Sequence, residues 1–217
     1  EGQHRDHAVE HRKVLDSWKS AFTYVVAKTD SSVIGLRPPQ IGAVHAVHAH
    51  WSVTEAPATV VMPTGTGKTE TMLSILVSAC CERVLVIVPT DALRTQLAKK
   101  FLTLGVLKLQ DANILAPSAL HPIVCVLQHI PKTSDDVKLL FSPAHVIITT
   151  SSIVGSCPPN VQQAMAKYCS HLFIDEAHHT KAPTWNTFKN RFSGKRVLQF
   201  TATPFREDGI PLDGDII

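Results

Sequence analysis

The run Met62-Pro63-Thr64-Gly65-Thr66-Gly67-Lys68-Thr69 combines residues suited to holding a phosphate chain. Glycines let successive backbone N–H groups turn towards phosphate oxygens, so Thr64, Gly65, Thr66 and Gly67 can form a cradle. Lys68 can meet the β and γ phosphates of ATP, and the Thr69 hydroxyl can bind Mg2+. The spacing departs from the strict G-x-x-x-x-G-K-[ST] pattern at its first position, where Met62 stands. A glycine-rich turn bearing a solvated lysine is the plain alternative.

A second constellation is Phe173-Ile174-Asp175-Glu176-Ala177-His178-His179, ending a short apolar run. Two adjacent carboxylates at such an end can divide the labour: Asp175 holds the Mg2+ shell, and Glu176 orients and deprotonates the attacking water. The third is Phe200-Thr201-Ala202-Thr203-Pro204. The hydroxyls of Thr201 and Thr203 can hydrogen-bond a neighbouring carboxylate loop and whatever packs above it. Alone, the pair reads as a solvated acidic loop and the last as a Thr-Pro turn.

These motifs need a scaffold that brings the ends of several strands together. Short apolar, β-branched runs at 59–62, 83–88, 123–127, 145–149, 171–174 and 196–201 alternate with helical stretches. That alternation predicts an α/β fold with a mostly parallel β-sheet and helices on both faces. Ligands of open α/β sheets bind outside the carboxyl ends of the strands, where all three motifs fall. Asp91 is expected to cap a helix with Leu93, Leu97 and Phe101 on its buried face and Arg94, Lys99 and Lys100 largely elsewhere. Leu15, Trp18, Phe22 and Val25 predict one amphipathic helix over the first segment. The stretch 105–118 fits no element, and 134–143 fits either a helix or a loop.

At 217 residues the chain suffices for one sizeable α/β domain. Its formal charge of +3 permits a polyanionic partner without arguing for one. Five cysteines without CxxC pairing, two of them adjacent, suit free thiols in a reducing cytoplasm better than disulfides. The uncharged stretch 112–131 is interrupted by Pro117 and Pro122 and would cross a bilayer badly, and no secretory signal opens the sequence. Of the 12 histidines, His4, His7 and His11 can share a helix face, as can His45 and His48. No cysteine or carboxylate completes a four-ligand set with them, so no structural zinc is expected. Asp208, Asp213 and Asp215 read as a solvated loop.

In their order, 62–69, 175–178 and 201–203 resemble motifs I, II and III of superfamily 2 DEAD/DEAH-box helicases, a likeness running from about Leu36 to the C-terminus. That family tolerates residues other than glycine at the Met62 position. The resemblance implies a RecA-like P-loop NTPase fold for an ATP-binding domain over 31–217, and the amphipathic pattern before it is expected to form a helical extension over 1–30. It also implies ATP and Mg2+ as ligands. Leu36-Arg37-Pro38-Pro39-Gln40 lies where relatives carry an adenine-reading glutamine, so Arg37 and Gln40 join the expected nucleotide contacts; a helix start after Pro-Pro is the alternative. The stretch 89–96 resembles motif Ia and 149–152 the next motif, making Thr90, Arg94, Thr150 and Ser151 expected backbone contacts to nucleic acid, or simply helix caps. His178 resembles the residue that couples the ATP site to motif III. The tail Arg206-Glu207-Asp208-Gly209 is similar to the branch of restriction-enzyme motor subunits and DNA-repair translocases, which favours DNA over RNA.

The function so implied is an ATP-dependent helicase or translocase. It would work with a second RecA-like lobe, normally in the same longer chain, and this domain alone would turn over slowly. The competing readings are another P-loop ATPase, such as a small-molecule kinase or transporter ATPase, and a nucleotide-binding regulatory module without motor activity.

Overall fold

In the computed structural model, residues 2–28, 30, 32–176, 182–203, 212 and 214–217 are described. Seven strands among them form one sheet: β1 (Ala58–Val61), β2 (Val84–Val88), β3 (Val124–Val126), β4 (Val146–Thr150), β5 (His171–Asp175), β6 (Arg196–Thr201) and β7 (Asp215–Ile216). Their spatial order is β3-β4-β2-β5-β6-β1-β7, and every pairing is parallel. The central strands β2, β4 and β5 are buried along their whole length and mostly apolar because helices cover both faces. Val60, Val86, Ile148, Phe173 and Leu198 point into one core, and Leu85, Ile87, Ile147, Leu172 and Val197 into the other. Each such side chain contributes about 1.5–3 kcal/mol of burial.

The helices are α1 (Gly2–Trp18), α2 (Pro38–Val53), α3 (Lys68–Ser78), α4 (Asp91–Thr103), α5 (Ser134–Phe141), α6 (Ser151–Ser156), α7 (Pro159–Tyr168) and α8 (Ala182–Asn190). No helix among the described residues is long and apolar enough to cross a membrane.

Four expectations about elements are corrected. The first helix stops at Trp18 rather than running to Val25, because Ser20 adopts a left-handed backbone (φ 57) and Phe22 and Val26 turn into bridges with Leu115 and Leu36. Trp18 is buried there, its Nε1–H donating to the Leu120 carbonyl at 2.9 Å. The cap of α4 is Thr90, whose Oγ1 accepts from the Leu93 N–H; Asp91 is the first helical residue and pairs with Arg94 at 2.7 Å. Arg94 is consequently buried rather than on the outer face. Asp215 belongs to the edge strand β7, although its side chain is exposed. Asp208 and Asp213 lie outside the described residues.

Two open stretches take definite form. A 3-10 turn, Gly105–Lys108, follows α4. The 134–143 stretch contains the helix α5, started by a reciprocal cap between Thr133 and Asp136.

Candidate active site

The three motifs leave neighbouring strands at one edge of the sheet. β6 lies between β1 and β5, with Val61 in register with Thr201 and Asp175 with Phe200. The loop after β1 and the carboxylates at the end of β5 therefore start about 10 Å apart, two strand spacings. The Met62 N–H donates to the Thr201 carbonyl at 2.8 Å, extending the β1–β6 pairing into the loop. Beyond it the loop closes the gap, leaving Lys68 Nζ 3.0 Å from Glu176 Oε1.

Local chemistry shapes the loop. Gly65 and Gly67 have φ of 80° and 96°, a region that favours glycine, and Gly67 is the N-cap of α3. A Cβ on Gly67 would run into the amide nitrogen of Gln40 and the guanidinium of Arg37. Arg37 Nη1 donates to the Gly65 carbonyl at 2.8 Å, and Gln40 Nε2 to the Gly67 carbonyl at 3.4 Å. Gln40 Oε1 accepts from the Arg37 N–H at 2.7 Å, so this buried side chain ties the start of α2 to the loop. Thr66 Oγ1 donates to the Pro63 carbonyl at 2.6 Å, while Thr64 and Gly65 are exposed and Thr69 is half-buried. Met62 is buried, and Thr71 Oγ1 contacts its sulfur at 3.5 Å and donates to the Gly67 carbonyl at 3.1 Å. The contributions of Thr71 and of the Glu70–Lys100 pair at 3.1 Å were not foreseen, since no local pattern singles them out.

Asp175 is 7% exposed. Burial, with the Glu176 charge second, raises its pKa from 3.8 to about 6, while Lys68 and the Glu176 N–H pull the other way. That N–H donates to Asp175 Oδ1 at 3.1 Å, and Glu176 itself sits at φ 50. Two adjacent carboxylates, one buried, form a donor set that suits a hard divalent cation. The glycine-lined start of α3 presents backbone N–H groups that suit phosphate. Residues and ligands fit: Lys68, Thr69, Asp175 and Glu176 stand on the two sides of one cleft edge. Among the described residues no group of three or more His, Cys, Asp or Glu is arranged to hold a metal.

Thr201 is buried; its hydroxyl donates to the Thr203 carbonyl at 2.7 Å and accepts from the Thr203 N–H at 3.2 Å, holding a tight turn between loop and carboxylates. His178, His179 and the tail Arg206 to Gly209 lie outside the described residues. Thr90 follows β2 and Thr150 ends β4 at the same sheet edge, and they cap α4 and α6. Thr90 is exposed, Thr150 buried and Ser151 half-buried.

The family model of the type III restriction enzyme res subunit, ResIII, matches residues 33–206. No curated protein matches the chain. Among solved structures, the UvsW helicase from Bacteriophage T4 shares 16% identity at a TM-score of 0.56, over 89% of this chain and 60% of that one. A further structure of T4 UvsW shares 18% at 0.52, over 88% and 34%. The Pyrococcus furiosus Hef helicase domain shares 20% at 0.48, over 74% and 32%. The chain thus spans at most 60% of the length of these structures, and at such identities the likeness is one of fold. The family match reaches from before α2 to beyond β6 and takes in every strand that lines the cleft edge, so the chain belongs to the type III restriction enzyme res subunit family, as a helicase-type ATP-binding domain.

Proposed function

We propose that the chain is the ATP-binding domain of a nucleic-acid helicase or translocase, hydrolysing ATP with Mg2+ to drive movement on DNA rather than RNA. The observation that carries this reading is the 3.0 Å approach of Lys68 to Glu176 with Asp175 buried behind them. It sets a phosphate-binding cation, a metal-type carboxylate and a base candidate within one cleft edge.

In this reading the backbone N–H groups from Thr64 to Gly67 and the start of α3 bind the phosphates. Lys68 exchanges Glu176 for phosphate oxygens. Thr69 and Asp175 hold Mg2+, which when bound neutralises charge on the phosphates. Glu176, released from Lys68, orients the attacking water and takes its proton. Arg37 and Gln40 keep the loop in shape, and the Gln40 amide is the adenine contact implied by the family. Thr201 and Thr203, with His178, link the cleft to motion. Thr90, Arg94, Thr150 and Ser151 line the nucleic-acid path; Thr90 and Thr150 support this by standing at the same strand ends, whereas Arg94 would act from within, by fixing the start of α4 through Asp91. A second RecA-like lobe completes the cleft. The free cysteines among the described residues fit work in the cytoplasm.

The test is phosphate release by this chain with single-stranded and duplex DNA and RNA in turn, at stated salt, beside Glu176→Gln. Slow turnover, abolished in the variant while nucleotide still binds, supports the reading. Turnover equal to that of intact family members would overturn the dependence on a second lobe. Nucleotide binding without any turnover, unchanged in the variant, would favour a regulatory module.

A further inference from the structure

A groove of about 820 Å³ runs along the outer face of α4 and ends on the 3-10 turn Gly105–Lys108, and none of residues 62–69, 175 or 176 lines it. Its lining includes Lys99, Lys100 and Lys108 and no carboxylate. The aliphatic part of the lining is Ala92, Val106 and the 54% exposed Leu109, and the exposed amide of Gln96 adds one neutral polar group. The hydroxyls of Thr95 and Thr103 bond to helix carbonyls of Asp91 and Lys99, so what these residues offer the groove is largely their methyl groups. Lys108 is anchored on the carbonyls of Ala116 and Pro117, and Lys100 is paired with Glu70 of α3. Lys99 is exposed.

We propose that this groove docks an acidic amphipathic helix of a partner protein. An apolar floor with a cationic rim complements a helix that carries aliphatic side chains at i, i+3 or i+4, and i+7, with carboxylates beside them. The 13 residues of α4 give a seat of about 20 Å, or three to four helical turns. Nucleic acid fits less well: the lining holds no aromatic ring on which a base could stack and no arginine for a phosphate fork. The floor also bears on the nucleotide side of the domain. A Cβ on Gly105 would press on Leu73 of α3, and Lys100 reaches Glu70, two residues beyond Lys68. An occupant's carboxylate would compete with Glu70 for Lys100.

The experiment titrates the chain into a fluorescein-labelled helical peptide of about 16 residues, with Leu at i, i+4, i+7 and i+11 and Glu at flanking positions, followed by anisotropy. Controls are the same peptide with Lys for Glu, a scrambled peptide that breaks the Leu face, and a single-stranded oligonucleotide. Saturable binding of the acidic peptide alone is expected, weakened about 10-fold by Lys99→Glu and again by Leu109→Glu, both exposed positions whose folding is checked by circular dichroism. The proposal is overturned by no saturable binding, by equal binding of the scrambled or Lys peptide, or by affinity indifferent to both substitutions. It is equally overturned if the oligonucleotide binds more tightly and is the ligand that these substitutions weaken.

Discussion

Lys68 Nζ and Glu176 Oε1 lie 3.0 Å apart, the lysine 10% and the glutamate 21% exposed, so each neutralises the other across the end of β6. In the proposed function, a nucleotide phosphate and Glu176 would compete for one ammonium. Glu176→Gln removes the competing charge and keeps the shape. Its affinity for ATP is expected to rise about 5-fold, equivalent to about 1 kcal/mol for a mostly buried pair, while turnover falls about 100-fold or more with the base lost. Titration with a fluorescent ATP analogue beside a phosphate-release assay separates the two effects. Weaker binding in the variant would show that the ion pair does not oppose phosphate entry.

Asp175 carries a pH dependence whose sign follows from its burial. Its pKa rises from 3.8 to about 6, so its contribution to stability is complete below about 4 and is lost as pH climbs through about 6. The difference corresponds to about 3 kcal/mol at neutral pH as an upper figure. Asp175→Asn is therefore expected to raise Tm at pH 7 and to flatten the Tm profile between about pH 4 and 6. In the proposed function the same substitution should abolish Mg2+-dependent nucleotide binding, which in the unaltered chain is expected to strengthen as pH rises through about 6. A lower Tm at pH 7 in the variant would contradict the burial argument.

The motifs were legible because strands buried on both faces read as continuous apolar runs, and each motif terminates such a run: Val60 before the loop, Phe173 and Ile174 before the carboxylates, Phe200 before Thr201. What a local pattern cannot supply is a partner distant in sequence. Phe22 continues the helical spacing of Leu15 and Trp18, yet it is drawn into an extended bridge by Leu115, more than 90 positions away. Thr90 and Asp91 are both good caps, and only the extended backbone at Thr90 decides between them. β7 has two residues, tied to the Pro57 and Thr59 carbonyls through the Asp215 and Ile217 N–H groups, too short for any periodicity. In the candidate site, residue types singled out the glycine-rich loop and the acidic pair, which meet at Lys68 and Glu176. The grip of Arg37 on Gly65 depends on how α2 approaches the loop, which no spacing encodes.

Gly67 tests that approach. Its φ of 96° and the crowding by Gln40 and Arg37 both exclude a side chain, so Gly67→Ala must displace the loop or the start of α2. A loss of about 1–3 kcal/mol in denaturant unfolding is expected, together with loss of ATP binding. Gly65 also has positive φ, but nothing lies within 4 Å of its Cβ position. Gly65→Ala should thus cost less, about 1 kcal/mol. Equal effects at the two positions would mean that the contacts of Arg37 and Gln40 do not govern the loop.

At the opposite edge of the sheet, α1 is held by stacked histidines. The rings of His11 and His145 lie 3.9 Å apart and 4° from parallel, and a His145 ring nitrogen meets the His11 carbonyl at 3.0 Å. Arg83 Nη2 is 3.4 Å from His11 Nε2 while the guanidinium also binds the carbonyls of Ser142, Ala144 and Tyr168. Burial lowers the pKa of both histidines, His145 to about 4. The Arg83 charge adds to this at both rings, and Glu82 opposes it at His11. For bases with depressed values the stabilisation is full above the ordinary 6.5 and is lost as pH falls towards about 4. Protonation would set two imidazolium rings against each other and against Arg83, loosening α1 and exposing Trp18. Acidification from about pH 6.5 to 4 should therefore shift tryptophan emission to the red, and the shift should vanish in Trp18→Phe. In His145→Phe, which keeps a ring in the stack without a titrating nitrogen, the change should move to lower pH. Emission constant over that range in the unaltered chain, or a shift surviving in Trp18→Phe, would show that the stack does not hold α1.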